Sequence, residues 1–173
     1  IADSANGLEI VDISNPTSPV VVGGIDTDGS AYAVKVVGKY AYVADWTNGL
    51  EIIDISDPTT PTIVGGVDLT NASGGIDVAG SYAYVADGNS GIDIIDISNP
   101  AAPTVVNGID TDGVASDIKI VGKFAYVADG SNGLEIIDIS DPTTPVIVGG
   151  LAGGSATSVT VAGSYAYLTL SSS

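Results

Sequence analysis

Gly49-Leu-Glu-Ile-Ile-Asp-Ile-Ser-Asp-Pro58 is the stretch on which the fold of this chain turns. Leu50, Ile52, Ile53 and Ile55 are apolar on both sides of what can only be a short strand, since Gly opens it and Ser-Asp-Pro closes it. A half-solvated sheet would alternate cleanly between apolar and polar. Residues apolar on both sides belong to sheets packed face to face. The same stretch recurs at Gly7, Gly91 and Gly133, so each copy opens 42 residues after the last (49 − 7, 91 − 49, 133 − 91). A unit of that length cannot bury its own apolar faces and must stack on its neighbours.

Working outward from Gly49 gives the whole unit. Ala31–Val37 is a β-rich run ended by Gly38-Lys39, a two-residue hairpin signal, and Tyr40–Asp45 is the returning strand. The polar turn Trp46–Gly49 leads into Leu50–Ile55, and the Pro-containing turn Ser56–Pro61 leads into Thr62–Val67. No stretch carries a helical period of 3.6. Four short antiparallel strands in about 40 residues is the length of a propeller blade, whereas the coils of a β-solenoid are shorter and lack such hairpins. The expected fold is therefore all-β, a β-propeller of four-stranded antiparallel blades built from four 42-residue repeats.

Tyr-Ala-Tyr-Val-Ala-Asp followed by Gly-Leu-Glu-Ile-Ile-Asp-Ile-Ser-Asp-Pro resembles the LVIVD repeat family over nearly the whole chain. That resemblance implies a β-propeller from a bacterial or archaeal cell-surface or secreted protein. It carries no catalytic residues over.

The spacing predicts a single domain over residues 1–173, with blades at 31–68, 73–110 and 115–151. A fourth, composite blade joins 156–170 to 7–26, so that shared N- and C-terminal strands close the ring and leave no sheet edge open. Ile1-Ala-Asp3 has the register of Val43-Ala-Asp45 and competes with Leu168-Thr-Leu170 for one slot. A strand-swapped eight-blade dimer, or an excerpt of a longer propeller or filament, accommodates that overlap equally well.

Charge narrows the function. Twenty-one acidic residues face four lysines, with no Arg, His or Cys, for a net charge of −17. Such a field disfavours nucleic acid and anionic membrane partners, favours cations and suits a salty or extracellular setting, as the resemblance to cell-surface or secreted proteins also implies. No apolar run is long enough for a spanning helix, so no membrane insertion is expected. Without His or Cys, a bound metal would be a hard cation on oxygen ligands.

Departures from strict repetition mark the candidate sites. Ile25-Asp-Thr-Asp-Gly29 returns as Ile109-Asp-Thr-Asp-Gly113. Asp26, Asp28, Asp110 and Asp112 therefore have the alternate spacing that opens a calcium loop, although no Glu follows at the twelfth position. On the innermost strand the equivalent positions read Lys35, Asp77, Lys119 and Thr160, a ligand site at the channel or a set of charges that neutralise one another. Trp46, the single Trp, stands where other repeats carry Gly88 and Gly130 and could stack on a sugar or anchor a partner. Asn71-Ala-Ser73 fits a glycosylation sequon.

The repeated carboxylates Asp12, Asp54, Asp96 and Asp138 are expected to accept N–H bonds in the turns that follow them. Glu9, Glu51, Asp93 and Glu135 are expected to be solvated at blade edges. Carboxylates replicated in every blade lack the asymmetry that catalysis requires. These readings point to a non-enzymatic structural or interaction module, with a protein or glycan partner and self-assembly into a dimer or filament as its options. An alternative is a calcium-stabilised carbohydrate- or protein-binding propeller, with Ca2+ as the sole cofactor. A propeller hydrolase would need an asymmetric acidic cluster at the channel mouth.

Overall fold

The computed structural model describes residues 1–4, 6–46, 48–69 and 74–171. Sixteen strands run through them in antiparallel sheets. β1 (Leu8–Asp12) and β2 (Val20–Ile25) form a two-stranded sheet. The first full sheet holds β3 (Ala31–Val37), β4 (Tyr40–Asp45), β5 (Gly49–Asp54) and β6 (Thr62–Val67). The second holds β7 (Ile76–Ala79), β8 (Tyr82–Ala86), β9 (Ile92–Asp96) and β10 (Thr104–Ile109). The third holds β11 (Ala115–Val121), β12 (Phe124–Asp129), β13 (Leu134–Asp138) and β14 (Val146–Leu151). β15 (Ser155–Ala162) and β16 (Tyr165–Ser171) pair alone.

Each sheet is an up-and-down meander, because its connections are too short for anything else. Gly38 takes φ 60 at the first position of a two-residue loop and lets Val37 pair directly with Tyr40. At the other end of the third strand, Asp57 Oδ1 accepts the Thr59 N–H at 2.9 Å and fixes the Pro-containing turn into β6.

The sheets stack face to face, and the core lies between them. Adjacent residues Ile52 and Ile53 are both fully buried but serve opposite interfaces. Ile52 packs with Ile76, Val85 and Ile95 of the second full sheet, and Ile53 packs with Leu8 of the β1–β2 sheet. Each such side chain contributes about 1.5–3 kcal/mol by leaving water. This is why the defining stretch shows no alternation. Short backbone bridges add to the stacking: Gly88 pairs with Ala115, Gly130 with Ala156 and Ser4 with Ala31, each joining the end of a second strand to the innermost strand of the next sheet.

The three full sheets run from Ala31 to Val67, from Ile76 to Ile109 and from Ala115 to Leu151. The composite fourth blade takes a different form. β1–β2 and β15–β16 are separate sheets, not hydrogen-bonded to each other. Ile1 and Ala2 instead lie along β1, with Ala2 bridged to Leu8 and the Glu9 N–H donated to Ile1 O at 2.9 Å. That is the register of Ala44 on Leu50 and Val43 on Glu51.

Candidate functional site

The first strands β3, β7, β11 and β15 bring their opening residues together along one rim of the stack, here called the mouth. Three of them open with a β-bulge. Ala31 and Ala33 oppose the consecutive residues Asp45 and Ala44, so Tyr32 between them has no partner across the strands. Ser116 and Thr157 are the equivalent extra residues of β11 and β15. A bulge re-aims the side chain it carries. Here Tyr32, Ser116 and Thr157 line a cavity of about 230 Å³ together with Ala33, Gly74, Gly75, Asp117 and Ser158.

Asp117 is held at that mouth by the neighbouring sheet. Its Oδ2 accepts the Ser158 hydroxyl at 2.6 Å and the Val159 N–H at 2.9 Å. Gly75 leaves room for it, since a Cβ there would lie 2.3 Å from Asp117 Oδ1. Beside the cavity, Trp46 packs edge-to-face on Tyr32 with ring centroids 5.7 Å apart and planes at 90°. Both rings stay open to solvent, Trp46 at 43% and Tyr32 at 58% exposure.

Farther along the same strands stands an ion-paired triad. Asp77 of β7 is buried, and it takes Lys35 Nζ on Oδ1 at 2.7 Å and Lys119 Nζ on Oδ2 at 2.7 Å. The Ile120 and Val78 N–H groups complete its shell at 3.0 Å each. Burial alone would push the Asp77 carboxyl up, but Lys119, Lys35 and the two N–H donors outweigh it and hold it below its ordinary value. The three residues thus cross-link three consecutive sheets.

The two Asp-Thr-Asp-Gly segments also lie on the mouth rim, each closing over the next sheet. Asp26 Oδ1 accepts the Asp28 N–H, and Asp110 Oδ1 the Asp112 N–H, both at 3.0 Å, with Asp28 and Asp112 in the left-handed region. Thr27 and Thr111 are buried beneath, where Asn48 and Asn132 donate to their carbonyls. The loops seal Asp45 and Asp129, each fully buried at the end of a second strand. A Cβ on Gly29 would lie 2.4 Å from both Asp45 carboxylate oxygens. Among the described residues, no three acidic side chains gather into a metal-binding group around Asp26, Asp28, Asp110 and Asp112.

Charge on this rim is uncompensated. Burial pushes Asp45 and Asp129 up from the usual carboxylate range. Glu51 rises to about 7, first through burial and then through Asp45, Asp68 and Asp28. Burial likewise raises Asp93, and it raises Glu135 beside Asp129. Glu9, Glu51, Asp93 and Glu135 are expected from sequence to be solvated, but all four are half-buried. The reason is register: Glu51 lies opposite Val43, two residues from Asp45, and packs over Gly66.

The opposite rim behaves in the reverse sense. Asp12, Asp54, Asp96 and Asp138 each accept the N–H of the Ser two residues on, at 2.8–2.9 Å, as expected. Asp54 and Asp138 also pair with Lys39 and Lys123 at 2.8 Å, and those lysines with the Ser donors bring both carboxyls down to about 2.

Asn71 lies outside the described residues. Tyr32, Asp117, Asp45 and Asp129 were missed from sequence. The signal available was the position Tyr32/Gly74/Ser116/Thr157, which differs in every repeat while its surroundings repeat.

Stacked antiparallel sheets, mostly four-stranded, define a β-propeller-like repeat protein. Three solved structures share that arrangement. A protein of unknown function from Desulfotomaculum acetoxidans superposes with a TM-score of 0.73 at 14% identity, over 97% of this chain and 57% of that one. The β-propeller domain of Cps50 (Swd1) from Myceliophteria thermophila gives 0.69 at 14%, over 92% and 56%. The computationally designed Ika8 protein gives 0.68 at 6%, over 87% and 46%. The chain spans about half the length of each. Among curated proteins none matches. The LVIVD repeat model matches residues 1–27, 28–69, 72–111, 112–151 and 153–171, and the chain belongs to that family.

Proposed function

We propose that this chain is a non-enzymatic interaction module of the cell exterior, a propeller segment that holds a glycan or an extended polar partner at its concave mouth. One observation carries the reading: the repeat is broken by chemically distinct side chains at the mouth. Equivalent positions read Tyr32, Gly74, Ser116 and Thr157, and the next read Ala33, Gly75, Asp117 and Ser158. Recognition needs such asymmetry. A flat aromatic edge beside hydroxyls and one fixed carboxylate suits a sugar ring, which presents an apolar face and a polar periphery. Carboxylates elsewhere are replicated from sheet to sheet, as turn caps at one rim and as buried aspartates at the other.

Closure of the ring belongs to the same proposal. β15–β16 are first and second strands of a repeat and β1–β2 are third and fourth, so the two half-sheets are complementary. Pairing between copies, or with further repeats, would complete a blade and cover the exposed Tyr165, Tyr167 and Leu170.

The test is a glycan array probed with the wild-type chain, followed by isotherms for Trp46→Ala and Tyr32→Ala. Each variant is expected to weaken binding at least tenfold, about 1.4 kcal/mol, with unchanged circular dichroism. Binding that both variants retain would reject the mouth as the site. A hydrolytic turnover abolished by a single carboxylate substitution would reject the non-enzymatic reading.

A further inference from the structure

We propose that each Asp-Thr-Asp-Gly loop, with the buried aspartate it seals, takes up a hard divalent cation, calcium by ligand chemistry. One site centres on Asp45, with Asp28 and Glu51 beside it. The other centres on Asp129, with Asp112 and Glu135.

The first observation is a buried carboxylate without hydrogen-bond partners. Asp45 is fully buried, and neither of its oxygens receives a hydrogen bond of full geometry. Thr27, Ser30 and Asn48 lie near and offset part of the cost of burial, yet Asp45 still sits above its ordinary value. Its carboxylate points at the loop, since both oxygens lie where a Gly29 Cβ would be. In the second copy, Thr111 donates to Asp129 Oδ1 at 2.6 Å, and Oδ2 has no partner. An ionised carboxylate out of water without a partner costs several kcal/mol, so it acquires either a cation or a proton.

The second observation is that the chain has no cation of its own to offer. Lys35 and Lys119 are bound to Asp77, Lys39 to Asp54 and Lys123 to Asp138, and there is no Arg or His. Every positive side chain stands on the inner wall or the opposite rim. Asp28 and Asp68 add their charge to Glu51, and Asp110 and Asp112 add theirs to Asp129. The available ligands are carboxylate, hydroxyl and carbonyl oxygens, which suit calcium rather than softer ions. No group of three acidic ligands is already gathered there. The site is therefore one in which Glu51 draws in toward Asp45 when the ion enters.

Trp46, next to Asp45, reports on the first site alone. The whole chain would be titrated with calcium chloride at pH 7.5 after treatment with chelator, following Trp fluorescence, melting temperature and calorimetric stoichiometry. The expected result is a saturable fluorescence change, two ions per chain and a melting temperature higher by about 5 °C or more at a hundredfold excess over Kd. Asp45→Asn and Glu51→Gln should each abolish the fluorescence change. Asp129→Asn should preserve it and lower the stoichiometry to one. Asp57→Asn on the opposite rim should leave both readouts as in wild type. Should Asp45→Asn fail to fold, Glu51→Gln decides alone. An equal melting shift from sodium chloride at matched ionic strength would overturn the proposal as screening. So would indifference to calcium in a protein that is stabilised by lowering the pH to 5, because the charge would then be met by protons.

Discussion

The two rims of the sheet stack are made from the same hairpins, yet they treat carboxylates in opposite ways. At the hairpin rim Asp54 and Asp138 meet two classes of donor, a Ser N–H and a lysine, and fall to about 2. At the mouth rim Asp45 and Asp129 are buried and Glu51 and Glu135 half-buried beneath acidic loops, with no lysine in reach, and every resolved shift is upward. A carboxylate that closes a turn at the surface is there for local structure. One held in a desolvated, like-charged setting is costly to the fold, and such sites are where function concentrates. The difference is what supports the proposal that function sits on the mouth face of a molecule whose repetition otherwise conceals it.

Between the rims, Asp77 shows what compensation achieves. It is as buried as the mouth carboxylates, but two lysines and two backbone donors meet it. Asp77→Asn would leave Lys35 and Lys119 without a counterion and the backbone donors imperfectly paired, across three sheets at once. The expected cost is about 3 kcal/mol, a fall in melting temperature of roughly 6–12 °C for a chain of this size. Lys119→Met with Asp77 intact should cost less, since Lys35 remains. A melting temperature within 2 °C of wild type for Asp77→Asn would mean that the triad does not cross-link the sheets.

The pH dependence of stability should separate the rims by sign. Glu51 has a folded pKa of about 7 against an ordinary 4.5, so between those values the folded chain holds more protons than the unfolded one. Stability from this group therefore falls as pH rises through that window. Asp54 and Asp138 have depressed values, so their contribution is present above 3.8 and is lost as pH falls toward 2. Without divalent cations, the chain should be most stable near pH 4–5 and less so at pH 8. The full Glu51 shift corresponds to roughly 3 kcal/mol, which screening at a half-open rim reduces to about 1–2. Glu51→Gln should recover that much at pH 8 and flatten the melting curve between pH 5 and 8. Stability that instead rises from pH 5 to pH 8 would contradict this account of the mouth rim.

Much of this was legible in the sequence because repetition writes backbone structure directly. Gly38-Lys39 specifies a hairpin, Ser56-Asp57-Pro58 specifies a turn, and four repeats of both fix the meander. The alternation of Lys35, Asp77 and Lys119 announced charges that meet across sheets. What stayed hidden depends on register and on bulges. Tyr32 reaches the mouth because one extra residue interrupts pairing in β3, and hydrophobic periodicity does not register a single inserted residue. Glu51 and Asp45 come from different strands and become neighbours only once Val43 lies opposite Glu51. The half-sheets β1–β2 and β15–β16 were recognisable as complementary, but whether they join depends on the curvature of the stack, which no local motif encodes.

The smallest effect is expected at the hairpin rim, and its smallness is informative. Lys39 stands over the Tyr40 ring at 4.8 Å and pairs with Asp54, but its side chain is 56% exposed. Exposed pairs of this kind contribute little and are screened by salt. In Lys39→Met, Asp54 keeps the Ser56 N–H at 2.9 Å, so the turn survives. The melting temperature should move by no more than about 2 °C, and the difference should vanish in 0.5 M sodium chloride. The same salt should stabilise the wild-type chain through the mouth rim, where like charges repel. Opposite responses to one reagent follow if pairing at one rim and repulsion at the other are both real. A Lys39→Met variant that lost as much stability as Asp77→Asn would instead mean that the hairpin rim, and not the inner wall, holds the sheets in register.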